Sequence, residues 1–167
     1  AFDDTIRTSV VNSLFGDGAA AIAVISKPAE HDVQTVVPSL LQFSSYIIPD
    51  AADAMRYDWD DAQARFSFFL DPEVPYVIGA HAEQALKQLL SGTGILPSDI
   101  RHWLVHSGGK KVIDSVRVNL GLTRHDLRHT ISVLRDHGNV SSGSFLFSYE
   151  RLLSEGVVAA GHYGVMM

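Results

Sequence analysis

Short apolar runs of strand length alternate along the chain with longer segments whose apolar residues recur every three or four positions. The run Ala19–Ser26 is apolar almost throughout, so it predicts a strand that is buried on both faces. Trp103–Val105 and Val157–Ala160 predict two further short buried strands. Strands that alternate with amphipathic helices are typical of layered α/β folds.

Four segments have the apolar spacing of an amphipathic helix. The clearest is Pro75–Ser91, in which a proline suits the first turn and the glycine that follows suits the C-terminal stop. A second helix opens after Gly108-Gly109, and a third follows Thr123 and Asp126, whose spacing resembles a capping box. The fourth is Ser141–Glu155. The apolar positions are Ile78, Ala82, Ala85, Leu86, Leu89 and Leu90 in the first, Val112, Ile113, Val116 and Leu120 in the second, Leu127, Ile131 and Leu134 in the third, and Phe145, Leu146, Tyr149, Leu152 and Leu153 in the fourth.

The segments between these elements predict one clear strand, one mixed region and one loop. Arg65–Leu70 has the composition of a strand. Val33–Ile48 is rich in strand-forming residues, but Pro38 makes part of it an edge or a bend. Pro49–Asp61 is acidic and contains aromatic residues, which we interpret as a loop. Turns are expected at Phe15–Gly18 and Pro97–Asp99, and Thr5–Leu14 is expected to be the end of a helix.

The composition of the chain excludes several classes of protein. Its 167 residues fit one domain or half of a larger fold, and its net charge of −6 argues against binding to nucleic acid. The longest apolar runs, near seven residues, are far shorter than the roughly 20 that a membrane span needs. Cysteine is absent, which excludes a disulfide, a Cys nucleophile and a thiolate metal site within these residues and suits a reducing, cytoplasmic setting.

The chain is also more apolar than a lone domain of this size needs. Hydrophobic residues make up 46%, and with the 13 glycines the apolar share exceeds the usual range of about 45–50%. Part of the surface is therefore expected to be buried against other protein. The first residue is not Met, and the last three, Val165-Met166-Met167, are apolar. We interpret residues 1–167 as a piece of a longer polypeptide, cut at both ends.

His106 is the first candidate for a chemical role. It follows the predicted strand Trp103–Val105, at the carboxyl edge where ligands bind to open α/β sheets. The two glycines at 108 and 109 would let a ligand approach the backbone, and the helix start that follows has free N–H groups. The alternative is a histidine that merely caps the end of a strand.

Asn139 is the second candidate, and its case depends on His106. It lies between Gly138 and a helix start, where asparagine is also a common cap. Both His106 and Asn139 follow a turn that is expected to face the same edge of the sheet, and each side chain can donate a hydrogen bond to an oxyanion.

The other polar clusters are weaker candidates. Lys110 and Lys111 begin a helix, where the macrodipole disfavours cations, so they either bind an anion such as a phosphate or are simply solvated. His125 and His129 have the H-x-x-x-H spacing that puts two imidazoles on one helix face, but no third ligand is evident, and we predict no metal site. Five other histidines and an acidic cluster are interpreted as structural or solvated: His31, His81, His102, His137, His162, Asp53, Asp58, Asp60 and Asp61.

Three motifs then occur in a recognisable order. They are Leu14-Phe15-Gly16-Asp17-Gly18-Ala19-Ala20-Ala21, Trp103-Leu104-Val105-His106-Ser107-Gly108-Gly109 and Gly138-Asn139-Val140-Ser141-Ser142-Gly143. Together they resemble the C-terminal half of the type III polyketide synthases, the chalcone synthase family of the thiolase-like superfamily, over almost the whole chain. The resemblance implies a layered α/β/α/β/α fold, of which this chain is about the C-terminal half, and a homodimer.

The resemblance also implies roles for individual residues. His106 and Asn139 match the catalytic His and Asn, which hold the thioester oxygen of malonyl-CoA while decarboxylation generates an enolate. The acyl-carrying Cys is expected in the missing N-terminal half. The remaining matches are with substrate-binding positions: Phe15 and Phe66 with residues that gate the cavity, Ser141 with a cavity-lining serine, and Lys110 and Lys111 with the pantetheine arm and phosphates of CoA.

The implied reaction uses malonyl-CoA and an acyl-CoA starter as substrates and needs no cofactor. The bacterial branch that makes 3,5-dihydroxyphenylacetyl-CoA is the expected subfamily. Ketoacyl synthase III enzymes share parts of the pattern but carry His-Gln-Ala-Asn where this chain has His106-Ser107-Gly108-Gly109. A ketoacyl synthase III-like enzyme of single condensation and a non-catalytic scaffold half that supplies dimer contacts stay open as alternatives.

Overall fold

The computed structural model describes residue 9 and residues 12–26 and 38–167. Along this part of the chain the strands are β1 (Met55–Asp60), β2 (Arg65–Leu70), β3 (Ile100–Leu104) and β4 (Tyr163–Met166). The α-helices are α1 (Val74–Leu90), α2 (Lys110–Asn119), α3 (Arg128–His137) and α4 (Ser144–Glu155). Short 3-10 helices cover Pro49–Ala51, Pro97–Asp99 and Ser141–Gly143. Strands and helices are thus mixed along the chain, as the sequence predicted.

The core forms where helices cover a parallel pair of strands. β3 and β4 pair in parallel, with Trp103 opposite Val165 and Leu104 opposite Met166. Leu127 and Val133, on and just before α3, are fully shielded from solvent. The buried cluster draws on α1, β3, α2, the start of α3 and β4: Ala82, Leu86, Ile100, Trp103, Val105, Ile113, Val116, Leu127 and Val165. This packing fixes the carboxyl end of β3, which His106 follows.

All four predicted helices are confirmed with small changes at their ends. Proline lies in the first turn of α1, and Gly138 and Gly156 follow α3 and α4 with positive φ, as helix-terminating glycines do. The predicted segment Ser141–Glu155 begins as a 3-10 turn before α4. Thr123 and Asp126 exchange hydrogen bonds as in a capping box, but a turn separates them from the start of α3.

An antiparallel hairpin occupies the region interpreted as an acidic loop. Arg65–Leu70 is a strand, as predicted, but Pro49–Asp61 contains β1, which pairs with it along its full length. The loop prediction was wrong because aromatic and acidic residues alternate here, and period-two alternation is typical of a strand with one polar face. Register places Met55, Tyr57 and Trp59 on the same face as their partners Leu70, Phe68 and Phe66.

Three predicted strands are not found where the sequence placed them. Ala19–Ser26 has no strand pairing and is exposed, because no described strand lies beside it to complete its backbone hydrogen bonds. Of Val33–Ile48, residues 33–37 lie outside the described part, and residues 38–48 run without strand pairing. Val157–Ala160 is a largely exposed loop and turn, and the strand that joins β3 begins later, at Tyr163.

Three further predictions concern the helix end Thr5–Leu14, the turn Pro97–Asp99 and the absence of a membrane span. Residue 9 and residues 12–14 are helical, and the rest of the predicted helix end Thr5–Leu14 lies outside the described residues. Pro97–Asp99 turns the chain as a 3-10 helix. Among the described residues, no helix combines the length and the apolar character that crossing a bilayer requires.

Candidate active site

The backbone around His106 is held by hydrogen bonds on both sides. Its N–H donates to the Met167 carbonyl at 2.7 Å, which continues the pairing of β3 with β4. The preceding residue, Val105, donates its N–H to the Thr130 hydroxyl at 3.1 Å and accepts from the same hydroxyl at 3.0 Å. On the side of Val105 where the described residues provide no neighbouring strand, a buried threonine of α3 therefore takes that place. No sequence pattern indicates this role of Thr130, since threonine is common in amphipathic helices.

The His106 ring is enclosed on two sides. The Phe145 ring lies beside it, with centroids 5.6 Å apart and planes tilted by 36°. On another side, a Cβ added at Gly108 would lie 2.9 Å from Cδ2 of the imidazole, so this glycine gives the ring its space. Nδ1 of His106 is buried and not accessible to solvent. Burial lowers the pKa of His106 below its ordinary value, which favours the neutral imidazole.

Asn139 is anchored through its backbone to the segment that contains Phe15. Its N–H donates to the Leu14 carbonyl and its carbonyl accepts from the Gly16 N–H, both at 3.0 Å. These two bonds make a parallel bridge between Phe15 and Asn139. Asn139 is 5% exposed, so its side chain has little freedom.

The carboxamide of Asn139 is oriented by the turn that follows it. Oδ1 accepts a hydrogen bond from the Ser141 N–H at 2.9 Å. Ser141 has a φ of 54°, a left-handed conformation that is unusual for serine, and this bond helps to hold it there. With Oδ1 engaged, the group of Asn139 that remains for a ligand is the Nδ2 donor.

The turn after His106 and the turn at Asn139 both lie next to the segment that contains Leu14. Leu14 accepts from Asn139, and its Cδ1 lies 3.5 Å from the position that a Cβ on Gly109 would take. Gly109 follows His106 by three residues and has a φ of 143°, which side chains rarely adopt. The turn after His106 and the turn at Asn139 thus both lie beside Leu14.

Phe15 and Phe66 lie on the edge of one aromatic surface but do not stack on each other. Phe15 contacts Phe68 edge to face at 6.0 Å, and Phe68 lies 5.0 Å from Tyr57. Phe66 contacts Trp59 edge to face at 5.0 Å, further along the hairpin. Phe66 and the Phe68 that Phe15 contacts lie on one face of the hairpin with Tyr57 and Trp59. Sequence reasoning missed the last two because the strand β1 was interpreted as a loop.

Lys110, Lys111 and Ser141 are exposed. The two lysines form the first turn of α2, directly after Gly109, and so lie on the same connection as His106. Ser141 lies two residues after Asn139. All three residues are therefore close in sequence to either His106 or Asn139.

The H-x-x-x-H pair is separated by the fold. His125 lies in an exposed turn before α3, whereas His129 is buried, so the two do not share a helix face as the spacing predicted. Nε2 of His129 lies 2.9 Å from the Glu155 carboxylate, which Arg128 also contacts through Nε and Nη2. Within residues 9, 12–26 and 38–167, no three His, Asp or Glu side chains are arranged to hold a metal ion.

Four of the histidines interpreted as structural or solvated have polar partners. His102 lies 3.0 Å from His162, Tyr46 lies 3.1 Å from His81, and Arg151 lies 3.1 Å from His137. In the acidic cluster, Arg56 pairs with Asp58 at 3.0 Å on the polar side of the hairpin. His31 lies outside the described residues.

Replacing Thr130 by Val should lower the free energy of unfolding by about 2 kcal/mol, because the buried N–H and C=O of Val105 would lose their partner while the side-chain shape is kept. Thr130→Ser keeps the hydroxyl and serves as the control. Guanidinium denaturation of both variants measures the difference. Equal or greater stability of Thr130→Val relative to Thr130→Ser would contradict this role.

Acidification should destabilise the fold. Burial is the largest cause of the lowered pKa values of His102, His106 and His129, so the unfolded chain binds protons that the folded chain does not. The free energy of unfolding should therefore be highest above the ordinary value of 6.5 and fall as the pH drops below it. Urea denaturation between pH of about 8 and 5 measures the slope, which should be shallower in His106→Gln. A stability that is flat over this range would contradict the expectation.

Comparison with known proteins places the chain in one family. Residues 40–163 match the family model for the C-terminal domain of chalcone and stilbene synthases. A 3,5-dihydroxyphenylacetyl-CoA synthase from Amycolatopsis balhimycina is 70% identical over 167 residues, which cover 100% of this chain and 44% of that protein. One from Streptomyces toyocaensis is 69% identical over 166 residues, covering 99% of this chain and 43% of that protein. The chain thus spans less than half the length of these relatives.

Solved structures give the same assignment. The 1,3,6,8-tetrahydroxynaphthalene synthase of Streptomyces coelicolor A3(2), a bacterial type III polyketide synthase, superposes with a TM-score of 0.61 and 33% identity, covering 68% of this chain and 32% of that chain. The fungal type III polyketide synthase ORAS superposes with a TM-score of 0.61 and 25% identity, covering 75% and 35%. The chain therefore belongs to the chalcone and stilbene synthase family, as a C-terminal domain with the thiolase-like α/β fold of type III polyketide synthases.

Proposed function

We propose that the protein containing this chain is an acyltransferase of the type III polyketide synthase class. It performs decarboxylative Claisen condensation of malonyl-CoA onto an acyl group carried by a Cys thioester. The chain itself has no Cys, so the nucleophile comes from the remainder of the protein. The names of the relatives at 69% and 70% identity support 3,5-dihydroxyphenylacetyl-CoA as the product.

The observation that carries this proposal is the orientation of the Asn139 carboxamide. Because Oδ1 already accepts the Ser141 N–H, Nδ2 is directed to act as the donor for a ligand. His106, on the neighbouring turn, is favoured as a neutral imidazole, which can donate one N–H. Two neutral donors suit an enolate oxygen that gains negative charge during the reaction.

The chemistry assigned to these donors is charge stabilisation. Loss of CO₂ from malonyl-CoA leaves an electron pair that spreads onto the thioester oxygen, where the N–H groups of His106 and Asn139 hold it. The enolate carbon then attacks the acyl thioester, a carbon–carbon bond forms, and the Cys leaves as a thiolate. No metal or cofactor takes part in this sequence of steps.

The surrounding residues are assigned to substrate binding. Phe15 and Phe66, with the aromatic residues between them, form one wall of the acyl cavity, and Ser141 lies at its edge. Lys110 and Lys111, exposed at the start of α2, contact the phosphates of CoA. The protein works as a cytoplasmic homodimer that takes an acyl-CoA starter. The exposed apolar run Ala19–Ser26 supports burial against the missing N-terminal half.

The experiment that tests this function uses the complete protein and malonyl-CoA. We expect release of CO₂ and, by mass spectrometry, CoA products of repeated condensation with cyclisation. His106→Gln should abolish CO₂ release, whereas His125→Gln, the same change at an exposed position, should retain it. A product of single condensation would favour a ketoacyl synthase III-like enzyme, and no CO₂ release from the unmodified protein would refute the proposal.

A further inference from the structure

The peptide unit that joins Val105 to His106 is hydrogen-bonded at both of its ends. Its C=O accepts a hydrogen bond from the Thr130 hydroxyl at 3.0 Å, and its N–H donates to the Met167 carbonyl at 2.7 Å. The same hydroxyl accepts the Val105 N–H at 3.1 Å. Because a peptide unit is planar and its C=O and N–H point in opposite directions, these bonds fix the orientation of the whole plane.

The helix turn that carries Thr130 is itself held in place. Thr130 lies in the first turn of α3 and is fully shielded from solvent. In the same turn, Arg128 donates from Nε to both carboxylate oxygens of Glu155, the last residue of α4, at 3.0 Å. The Thr130 hydroxyl therefore reaches Val105 from a buried helix turn that is tied to a second helix.

The direction of this hydroxyl is uncommon for a helix. Threonine and serine in helices often bond a carbonyl three or four residues earlier in their own helix. Ser132 of α3 does so, because its hydroxyl donates to the His129 carbonyl at 2.8 Å. The Thr130 hydroxyl instead bonds the backbone of Val105, 25 residues away in the chain. Ser132 is thus a matched control for Thr130, with a hydroxyl on the same helix but a local partner.

The orientation of the peptide plane affects where the imidazole lies. The plane ends at the Cα atom of His106, so a rotation of the plane moves the Cβ atom and the ring. The ring has the Phe145 ring on one side, with centroids 5.6 Å apart. On another side, a Cβ added at Gly108 would lie only 2.9 Å from Cδ2. A backbone shift would therefore press the ring against one of these neighbours or draw it away from them.

We infer that Thr130 is a positioning residue, whose hydroxyl holds the Val105–His106 peptide unit and so keeps the imidazole where it can donate to the thioester oxygen. The effect on rate rests on the proposed function, whereas the hydrogen bonds themselves do not. A misplacement of about 1 Å can slow an enzyme about 100-fold, so loss of the hydroxyl should lower kcat. The KM for malonyl-CoA should change little, because Thr130 is fully buried and offers no surface to a substrate.

Steady-state decarboxylation of malonyl-CoA by the complete protein tests the inference, with each rate corrected for the folded fraction. In Thr130→Val we expect kcat to fall about 10- to 100-fold while KM stays within about 3-fold. Thr130→Ser keeps the hydroxyl and should stay within about 3-fold of the unmodified kcat. Two controls should also stay there: Ser132→Ala removes the hydroxyl with a local partner, and Leu86→Ala destabilises the core from α1.

Hydrogen exchange, followed by mass spectrometry, reports on the same bonds without catalysis. In the unmodified protein, residues 103–107 should exchange as slowly as the buried turn 112–116 of α2, because the N–H groups of Val105 and His106 are both bonded. In Thr130→Val, residues 103–107 should accelerate up to about 10-fold more than residues 112–116, the equivalent of one neutral hydrogen bond. In Leu86→Ala both segments should accelerate equally.

The outcomes separate this inference from the proposed function. Fast exchange of residues 103–107 in the unmodified protein overturns the inference even if Thr130→Val does not fold. A Thr130→Val protein with the kcat of Leu86→Ala also overturns it, and so does a Thr130→Ser protein as slow as Thr130→Val. If CO₂ release persists in His106→Gln, the proposed function fails while the exchange result stands. If CO₂ release requires His106 but is unchanged in Thr130→Val, the inference alone fails.

Discussion

Replacing Asn139 by Asp is expected to slow malonyl-CoA decarboxylation by the complete protein about 100-fold or more. An aspartate at this position keeps an oxygen for the Ser141 N–H, so the turn that Asn139 supports is preserved. It replaces the Nδ2 donor with an oxygen that is negatively charged at a pH of about 8 and that repels the forming enolate. The rate of CO₂ release measures the effect.

A matched control variant separates an effect on catalysis from an effect on folding. Asn119→Asp makes the same chemical change at an exposed position near the end of α2 and should leave the rate unchanged. Thermal unfolding of both variants shows whether the fold survives. If Asn139→Asp folds and decarboxylates at the unmodified rate, Asn139 does not donate to the enolate.

Gly16→Ala should destabilise the protein by about 3 kcal/mol, the upper part of the range for overpacking. A Cβ at this position would lie 2.0 Å from the backbone oxygen of His137, and a backbone atom cannot swing aside as a side chain can. The change must push apart the bridge in which the Gly16 N–H donates to the Asn139 carbonyl. We therefore expect decarboxylation to fall together with stability. Guanidinium denaturation and CO₂ release measure the two effects.

Gly143→Ala is the matched control for that variant. Its added Cβ would meet only side-chain atoms 3.9 Å away, and its φ of −62° suits any residue. Its stability should stay within about 0.5 kcal/mol of the unmodified protein. A Gly16→Ala protein that is as stable as Gly143→Ala would show that the segment around Phe15 does not pack against Asn139 as described.

The sequence predicted helices better than strands, for a physical reason. A helix completes its hydrogen bonds within its own segment, so α1 could be placed from the spacing of its apolar residues alone. A strand depends on its neighbour, and Ala19–Ser26 has the composition of a strand but no partner among the described residues. The hairpin strand β1 was not predicted although Tyr57 and Trp59 alternate with aspartates, because acidic residues are also typical of solvated loops.

The candidate site was predictable where it depends on short motifs. His106 and Asn139 lie on turns after structural elements, as the glycines beside them indicated. The role of Thr130 was not predictable, because it depends on a contact between residues far apart in the chain. Tertiary packing, and not local pattern, decides which buried hydroxyl meets which backbone or ring atom.

The most direct measurement is a crystal structure of the complete protein with a stable malonyl-CoA analogue bound. The account predicts that the thioester oxygen accepts hydrogen bonds from both His106 Nε2 and Asn139 Nδ2, each at about 3 Å. A thioester oxygen beyond about 3.5 Å from either nitrogen, or bound by other donors, would contradict it.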